Sequence, residues 1–308
     1  MTEIERIIQK GIIPADYCRK EVMNDFLVDT NRKKLWAIML DMIYEFVAIC
    51  KKYHFTYYII YGALLGAVRH RGFIPWDDDF DVAMPRDDYE KFIRLSHEFK
   101  DPYFLQTPYT DPECFYSFAK IRNSRTTGVV KMFQYAKFNH GIWISVFPLD
   151  HWDDNGGRER YEQIRKLVID CSTYMRINNP NLDEKNRERV AAYHGNPLRD
   201  YEEIQRLASS CKDANSKYLM TAVITQGRYD HKLLYAKDFA STIDLDFEGL
   251  KLKAPVGYDR YLRDGYGDYM QFPPLEKRGA WHDGTVFDAD LPYKEYLRRQ
   301  GIEAYSYH

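Results

Sequence analysis

Four aspartates fall within five residues, Asp77, Asp78, Asp79 and Asp81, in the run Trp76-Asp77-Asp78-Asp79-Phe80-Asp81. Carboxylates this dense repel: two of them about 4 Å apart cost roughly 4 kcal/mol at an effective dielectric near 20. A hard divalent cation with oxygen ligands between them removes that cost. The alternative is an acidic turn kept in water. The approach through Phe73, Pro75 and Trp76 is apolar and stiff, which suits a built site better than a loop that only has to stay wet. If Asp79 to Met84 is a strand, its pleat sends Asp77, Asp79 and Asp81 to one face and Phe80 and Val82 into a core. The chain must then fold so that one sheet carries an acidic face.

Upstream, Phe55 to Ile60 is aromatic and β-branched and reads as a strand, and Tyr61 to His70 reads as a helix entered through Gly62. Such a helix start aims unpaired backbone N–H groups and a positive dipole end at whatever lies in front, which suits a phosphate. Gly66 allows either close packing or close approach of a ligand. Arg69, His70 and Arg71 separate this helix from the aspartates; they either contact phosphate or offset the acidic charge, and His70 reads as structural.

Around this centre the pattern predicts an α+β fold. Asn31 to Lys52 carries apolar residues at helical spacing, Asp87 to Phe99 reads as a helix, and Tyr103 to Gln106, Phe115 to Ile121 and Ile142 to Phe147 read as strands. Lys120 and Arg122 share one strand face and, with Arg125, offer donors to a diphosphate or an acceptor phosphate; the alternative for each is an exposed ion pair. From Asn155 to about Leu219 the chain is charged and helical, with breaks near Asn179-Pro180 and Gly195-Asn196-Pro197. Ala240 to Phe247 and Leu250 to Lys253 suggest a hairpin, and Gly257 to about Arg263 a helix. The expected organisation is an extension over 1–30, a catalytic core over 31–154, a helical accessory lobe over 155–238, and a hairpin, helix and Tyr/Pro-rich tail over 239–308. Among the 26 tyrosines, Tyr266 and Tyr269, with Trp281, could stack on a sugar or cage a quaternary ammonium, although closing a surface is the favoured reading.

A net charge of −2 argues against a nucleic-acid polymer or a polybasic membrane face as partner. No stretch reaches the roughly eighteen apolar residues of a membrane-spanning helix, and the start lacks a basic and apolar leader, so no transmembrane segment and a cytoplasmic location are expected. Five scattered cysteines, without a Cys-x-x-Cys pair, fit reduced thiols rather than a zinc site or a disulfide framework.

The segment Tyr61-Gly62-Ala63-Leu64-Leu65-Gly66-Ala67-Val68-Arg69-His70-Arg71-Gly72-Phe73-Ile74-Pro75-Trp76-Asp77-Asp78-Asp79-Phe80-Asp81-Val82 resembles the signature of the LicD family. Phe118 to Arg122, Gly141 to Asp150, and Phe247-Glu248-Gly249 continuing to Tyr266-Gly267-Asp268-Tyr269-Met270 and Pro273-Pro274 also resemble it, so the likeness runs from about residue 30 to 280. The resemblance implies a nucleotidyltransferase-like mixed-sheet core, with the helical lobe C-terminal to it. It also implies transfer of an alcohol phosphate, phosphocholine foremost, from CDP-choline or another CDP-alcohol to a glycan of lipopolysaccharide, teichoic acid or capsule, with CMP released. The cofactor implied is Mg²⁺ (or Mn²⁺), held by Asp77, Asp79 and Asp81, which are also the catalytic residues; Gly62, Leu65, Gly66, Arg69, Lys120, Arg122 and Arg125 would bind substrate. True nucleotidyl transfer and a non-catalytic binding role are the alternatives. One departure stands out: Ser145 occupies a place where the family commonly has an aspartate. Asp77, or Asp150 if its loop folds back, could supply the missing charge.

Overall fold

The computed structural model describes residues 1–153, 156–221, 229, 233–279, 282 and 284–303. Helix α1 (Glu3–Gln9) is closed at its start by a reciprocal Thr2–Glu5 capping pair, and a short hairpin, β1 (Glu21–Met23) with β2 (Phe26–Val28), follows. The expected amphipathic helix is α2 (Thr30–Tyr53). It begins where the Asp29 carboxylate accepts the Arg32 N–H and ends where His54 turns left-handed. Its apolar stripe, from Leu35 and Trp36 to Phe46 and Ile49, is buried against the sheet.

That sheet contains β3 (Tyr58–Ile59), β4 (Asp81–Pro85), β5 (Tyr103–Gln106), β6 (Ala119–Asn123) and β8 (Ile142–Trp152), separated by α3 (Tyr61–His70), α4 (Arg86–Phe92) and β7 (Thr127–Val130). Strand β8 is its centre. It runs parallel to β4 and antiparallel to β6 along its first half, and its last residues pair antiparallel with β9 (Tyr218–Met220). Parallel and antiparallel pairs in one sheet, with helices outside it, make the α+β class read from the sequence. Two expected elements are shorter than their patterns. Only Tyr58 and Ile59 pair in the first strand, because the Thr56 N–H is taken by the Asp88 carboxylate at 2.8 Å rather than by a neighbouring strand. The helix expected to reach Phe99 stops at Phe92 and is followed by a 3₁₀ turn at Ser96–Glu98.

Beyond β8, α5 (Gly157–Tyr174), α6 (Glu184–Ala192) and α7 (Pro197–Ala208) occupy the charged region and break where the proline signals fall. Tyr161, Ile164, Tyr201 and Ile204 from α5 and α7 build a second apolar cluster around Trp152 at the end of β8. The chain continues through β10 (Leu234–Tyr235), the hairpin β11 (Thr242–Phe247) and β12 (Leu250–Pro255), α8 (Tyr258–Tyr266), β13 (Thr285–Asp288), which pairs with β7, and α9 (Tyr293–Arg299). Glu248 and Gly249 turn the hairpin with φ of 48° and 81°, the positive values that a tight two-residue turn requires. Phe247 then packs edge-on to Phe73 and Phe80 at 4.9 and 5.2 Å between ring centroids. The hairpin thereby clamps the loop that carries the aspartates.

Candidate metal centre and active site

Asp77 and Asp79 do not lie on the strand. Strand β4 starts at Asp81, and the pleat expected from Asp79 onward is replaced by a turn in which the Asp77 N–H donates to the Ile74 carbonyl at 2.9 Å. The reason is tertiary. Arg32 and Trp36 of α2 donate to the Asp77 carbonyl at 2.8 and 3.2 Å, so this backbone is spoken for by a helix and cannot enter the ladder. The three carboxylates converge nonetheless, through a loop rather than a strand. Asp77 lies against the first turn of α3, where a β-carbon at Gly62 would overlap its Oδ2. Asp77 and Asp79 share a hydrogen bond, and Asp81 accepts one from Ser145, its partner in the parallel β4–β8 register.

Burial first pushes the carboxyl groups of Asp77 and Asp79 above the usual range, and repulsion adds to it, from Asp78 and then Asp81 at Asp77, and from Asp77, Asp81 and Asp78 at Asp79. Asp81 is raised by burial and partly relieved by the Ser145 hydrogen bond, His282 and Lys120. This is the signature of negative charge crowded beyond what local cations offset. Carboxylate oxygens are the donor type that a hard divalent cation takes. The Tyr266 hydroxyl feels all three carboxylates and is raised, by burial foremost.

Sequence reasoning missed His282. Its ring Nδ1 lies 3.0 Å from Asp78 Oδ1 and 3.8 Å from Asp79 Oδ2, and its ring meets Trp143 edge-on at 5.4 Å. Among the described residues, Asp78, Asp79 and His282 are the group whose three ligand atoms lie within 4.8 Å of one another, so the group placed to hold a metal contains Asp79 from the expected trio and one nitrogen ligand among the oxygens. No spacing rule links His282 to residues two hundred positions earlier. Asp78 is tied further by Arg32 at 3.9 Å.

Lys120 stands opposite Ser145 across the β6–β8 ladder, on the face that carries Asp81. Its ammonium sits over the rings of Tyr116 at 3.7 Å and Trp143 at 4.3 Å, is 4 % exposed, and is held well below its ordinary pKa by burial and then by Arg122. Arg122 is buried, donates to Gln106 and to the Gly141 carbonyl, and lies 5.1 Å from the Trp143 ring centre. Gly62 and Lys120 are thus brought to the aspartates, with Arg122 behind Lys120. Leu65 is core at 5 % exposure, and Gly66 packs on the Gly72 carbonyl. Arg69 lies on the last turn of α3. Arg125 is half exposed at the β6–β7 turn, with Asp101 and Glu3 as partners. Asp150 cannot replace a charge at Ser145: β8 continues straight through it, and both its oxygens are held by Arg86 at 2.6 Å. Of the three aromatic residues singled out in the tail, Trp281 lies outside the described residues.

The first turn of α3 and the aspartate loop meet at the edge of the mixed sheet. Residues 54–166 match the nucleotidyltransferase domain of LicD, FKTN and FKRP, a likeness that supports the LicD resemblance read from the sequence. It is 24% identical over 258 residues, 80% of its own length and 93% of the other's, to the lipopolysaccharide cholinephosphotransferase LicD of Haemophilus influenzae. Shorter similarities, 45% over 49 residues and 51% over 37, link it to uncharacterized proteins of Rickettsia typhi and Rickettsia prowazekii. Among the described residues, no helix is long and apolar enough to cross a membrane.

Proposed function

We propose that this protein is a metal-dependent phosphotransferase that moves an alcohol phosphate, phosphocholine in the first place, from a CDP-linked donor to a glycan acceptor such as lipopolysaccharide or its precursor. The observation that carries the reading is the crowding of the half-buried Asp77, Asp79 and Asp81 beside the start of α3. Similarity to a lipopolysaccharide cholinephosphotransferase along 80% of the chain supports the choice of transferred group.

In the reaction an acceptor hydroxyl oxygen attacks the phosphorus that bears the alcohol. A new P–O bond forms, the bond from that phosphorus to the bridging oxygen breaks, and CMP leaves with the bonding pair. The hydroxyl proton passes to Asp77 or to water. A divalent cation, Mg²⁺ or Mn²⁺, held by Asp77, Asp79 and Asp81 would neutralise charge on the diphosphate oxygens. The chain's own groups do the positioning. The Tyr61 N–H at the start of α3 donates to the Tyr261 hydroxyl at 3.2 Å, and Ile60 before it offers no side-chain cap, so the next first-turn N–H groups, of Gly62 and Ala63, are the ones to meet a phosphate oxygen. Lys120, wedged between rings and facing Asp81, supplies a second donor on the same side. The β4–β8–β6 ladder fixes Asp81, Ser145 and Lys120 relative to one another, as displacement chemistry with little tolerance for misplacement requires.

Calorimetric titration of CDP-choline, CDP-ribitol and CTP, each with and without Mg²⁺ or Mn²⁺, followed by assay of CMP and pyrophosphate, tests the proposal. Metal-dependent binding of a CDP-alcohol with CMP release, lost in Asp79→Asn, is expected. Pyrophosphate from CTP would replace it with nucleotidyl transfer, and no nucleotide binding with any metal would replace it with a non-catalytic role.

A further inference from the structure

We infer that Arg69 and Arg278 form a paired guanidinium site for a phosphate group at the rim of the active site, the phosphate belonging to the donor diphosphate or to a phosphorylated acceptor. Arg69 lies on the last turn of α3, and Arg278 comes from the loop before β13. Both lie over the same two rings. Arg69 is 5.8 Å from the Trp76 centroid and 5.2 Å from that of Phe272, and Arg278 is 4.8 and 5.5 Å from them.

Their hydrogen bonds go to neutral acceptors. Arg69 donates to the carbonyls of Tyr269 and Gln271 at 2.8 and 3.2 Å and, through Nε, to His70 Nε2 at 2.9 Å. Arg278 donates to the carbonyls of Pro273 and Asn24. Among the described residues neither guanidinium has a carboxylate partner, and the Nη2 of each donates to nothing. Elsewhere in the chain Arg6, Arg86, Arg260 and Arg298 all hold carboxylates, so acidic partners were not in short supply. Two like charges on one aromatic floor repel. Arg69 is lowered from its ordinary value by burial and then by Arg278. An anion between them removes the repulsion, and rings that hold the planar forks in place reduce the entropy lost on binding it.

Position favours a phosphate that takes part in the reaction. Trp76, the floor of the site, directly precedes Asp77. The Tyr266 hydroxyl feels the charges of Asp77, Asp79 and Asp81, and Arg69 in turn feels Tyr266, so Arg69 shares an electrostatic neighbour with the carboxylates. The assignment rests on the phosphotransfer reading for its role, and on the uncompensated charge for its existence.

The test is calorimetric titration of the full chain, with Mg²⁺, by CDP-choline, CMP and glucose 6-phosphate, in wild type and in Arg69→Gln, Arg278→Gln and the two Arg→Lys variants. Tenfold or greater weakening of at least one ligand in the Gln variants, partly recovered by Lys, is expected. Loss confined to CDP-choline assigns the donor, and loss confined to glucose 6-phosphate assigns the acceptor. Arg278→Gln, in a loop, keeps the test open if Arg69→Gln fails to fold. A folded Arg278→Gln that binds all three ligands within twofold of wild type overturns the site, as does a wild type that binds none of them. Anion binding that depends on the arginines in a wild type that releases no CMP would retain the site and discard the phosphotransfer reading; CMP release with binding unchanged in the variants would do the reverse.

Discussion

Replacing Gly62 by alanine separates the stability of α3 from the function of its first turn. Gly62 is helical with no positive φ, so alanine should stabilise the helix by up to about 1 kcal/mol if the helix were all that mattered. The new β-carbon overlaps one atom, Asp77 Oδ2; the next nearest, Asp77 Cγ and Asp79 Oδ1, stand at 3.5 and 3.8 Å. A terminal carboxylate oxygen can rotate aside, and an off-rotamer side chain costs about 0.5–1.5 kcal/mol. The two terms nearly cancel, so unfolding free energy in urea should change by less than about 1 kcal/mol. The displaced oxygen is a candidate metal ligand. Its loss should weaken Mn²⁺ binding about tenfold or more, equivalent to about 1.4 kcal/mol, read by calorimetry or by the paramagnetic resonance of free Mn²⁺. A variant that melts several degrees higher and binds Mn²⁺ like the wild type would refute the placement of Asp77 at the metal.

Gly66→Ala should behave differently, because its β-carbon meets the backbone carbonyl of Gly72, which cannot rotate away; a loss of about 1–3 kcal/mol in urea denaturation is expected, and unchanged stability would remove the packing role. Arg86→Met strands the 1 % exposed Asp150 carboxylate and should destabilise by about 3–5 kcal/mol, with much of this recovered in Arg86→Met/Asp150→Leu; an equally unstable double variant would count against the ion pair as the cause. His140 is buried, bonded through Nε2 to the Ala136 carbonyl at 3.0 Å and pushed down to about 3, by burial foremost. The unfolded chain therefore binds a proton there at pH values where the folded chain does not. Its contribution, complete above pH ~6.5, should drain away at up to about 1.4 kcal/mol per unit as pH falls toward 3, and His140→Gln should show a shallower acid limb by that amount. Identical acid limbs would reject this.

Much of the site was legible because it is local. Gly62 and the aspartates lie within twenty residues, and glycine, apolar approach and carboxylate density each carry their own physical meaning. The strand assigned to Asp79 was wrong because a pattern of alternating residues does not show that Arg32 and Trp36 will take the Asp77 carbonyl. Lys120 and Arg122 could be placed on one strand face, but not that Lys120 would be walled in by Tyr116 and Trp143. Arg125 illustrates the opposite: its motif neighbours lie in the sheet, while it pairs at the surface with Asp101 and Glu3.

The sequence by itself determined most of the elements, the acidic run, the glycine in the first turn of α3 and the LicD resemblance, since these depend on residues close in the chain and on periods of two or 3.6. Only the tertiary structure decided that His282 meets Asp78 and Asp79, that Ser145 serves as a hydrogen-bond donor to Asp81, and that Arg278 joins Arg69 over Trp76. Contacts between residues so far apart in the chain are set by how the hairpin, the tail and β8 pack on one core, and pairwise packing at that range leaves no periodic mark in a single sequence.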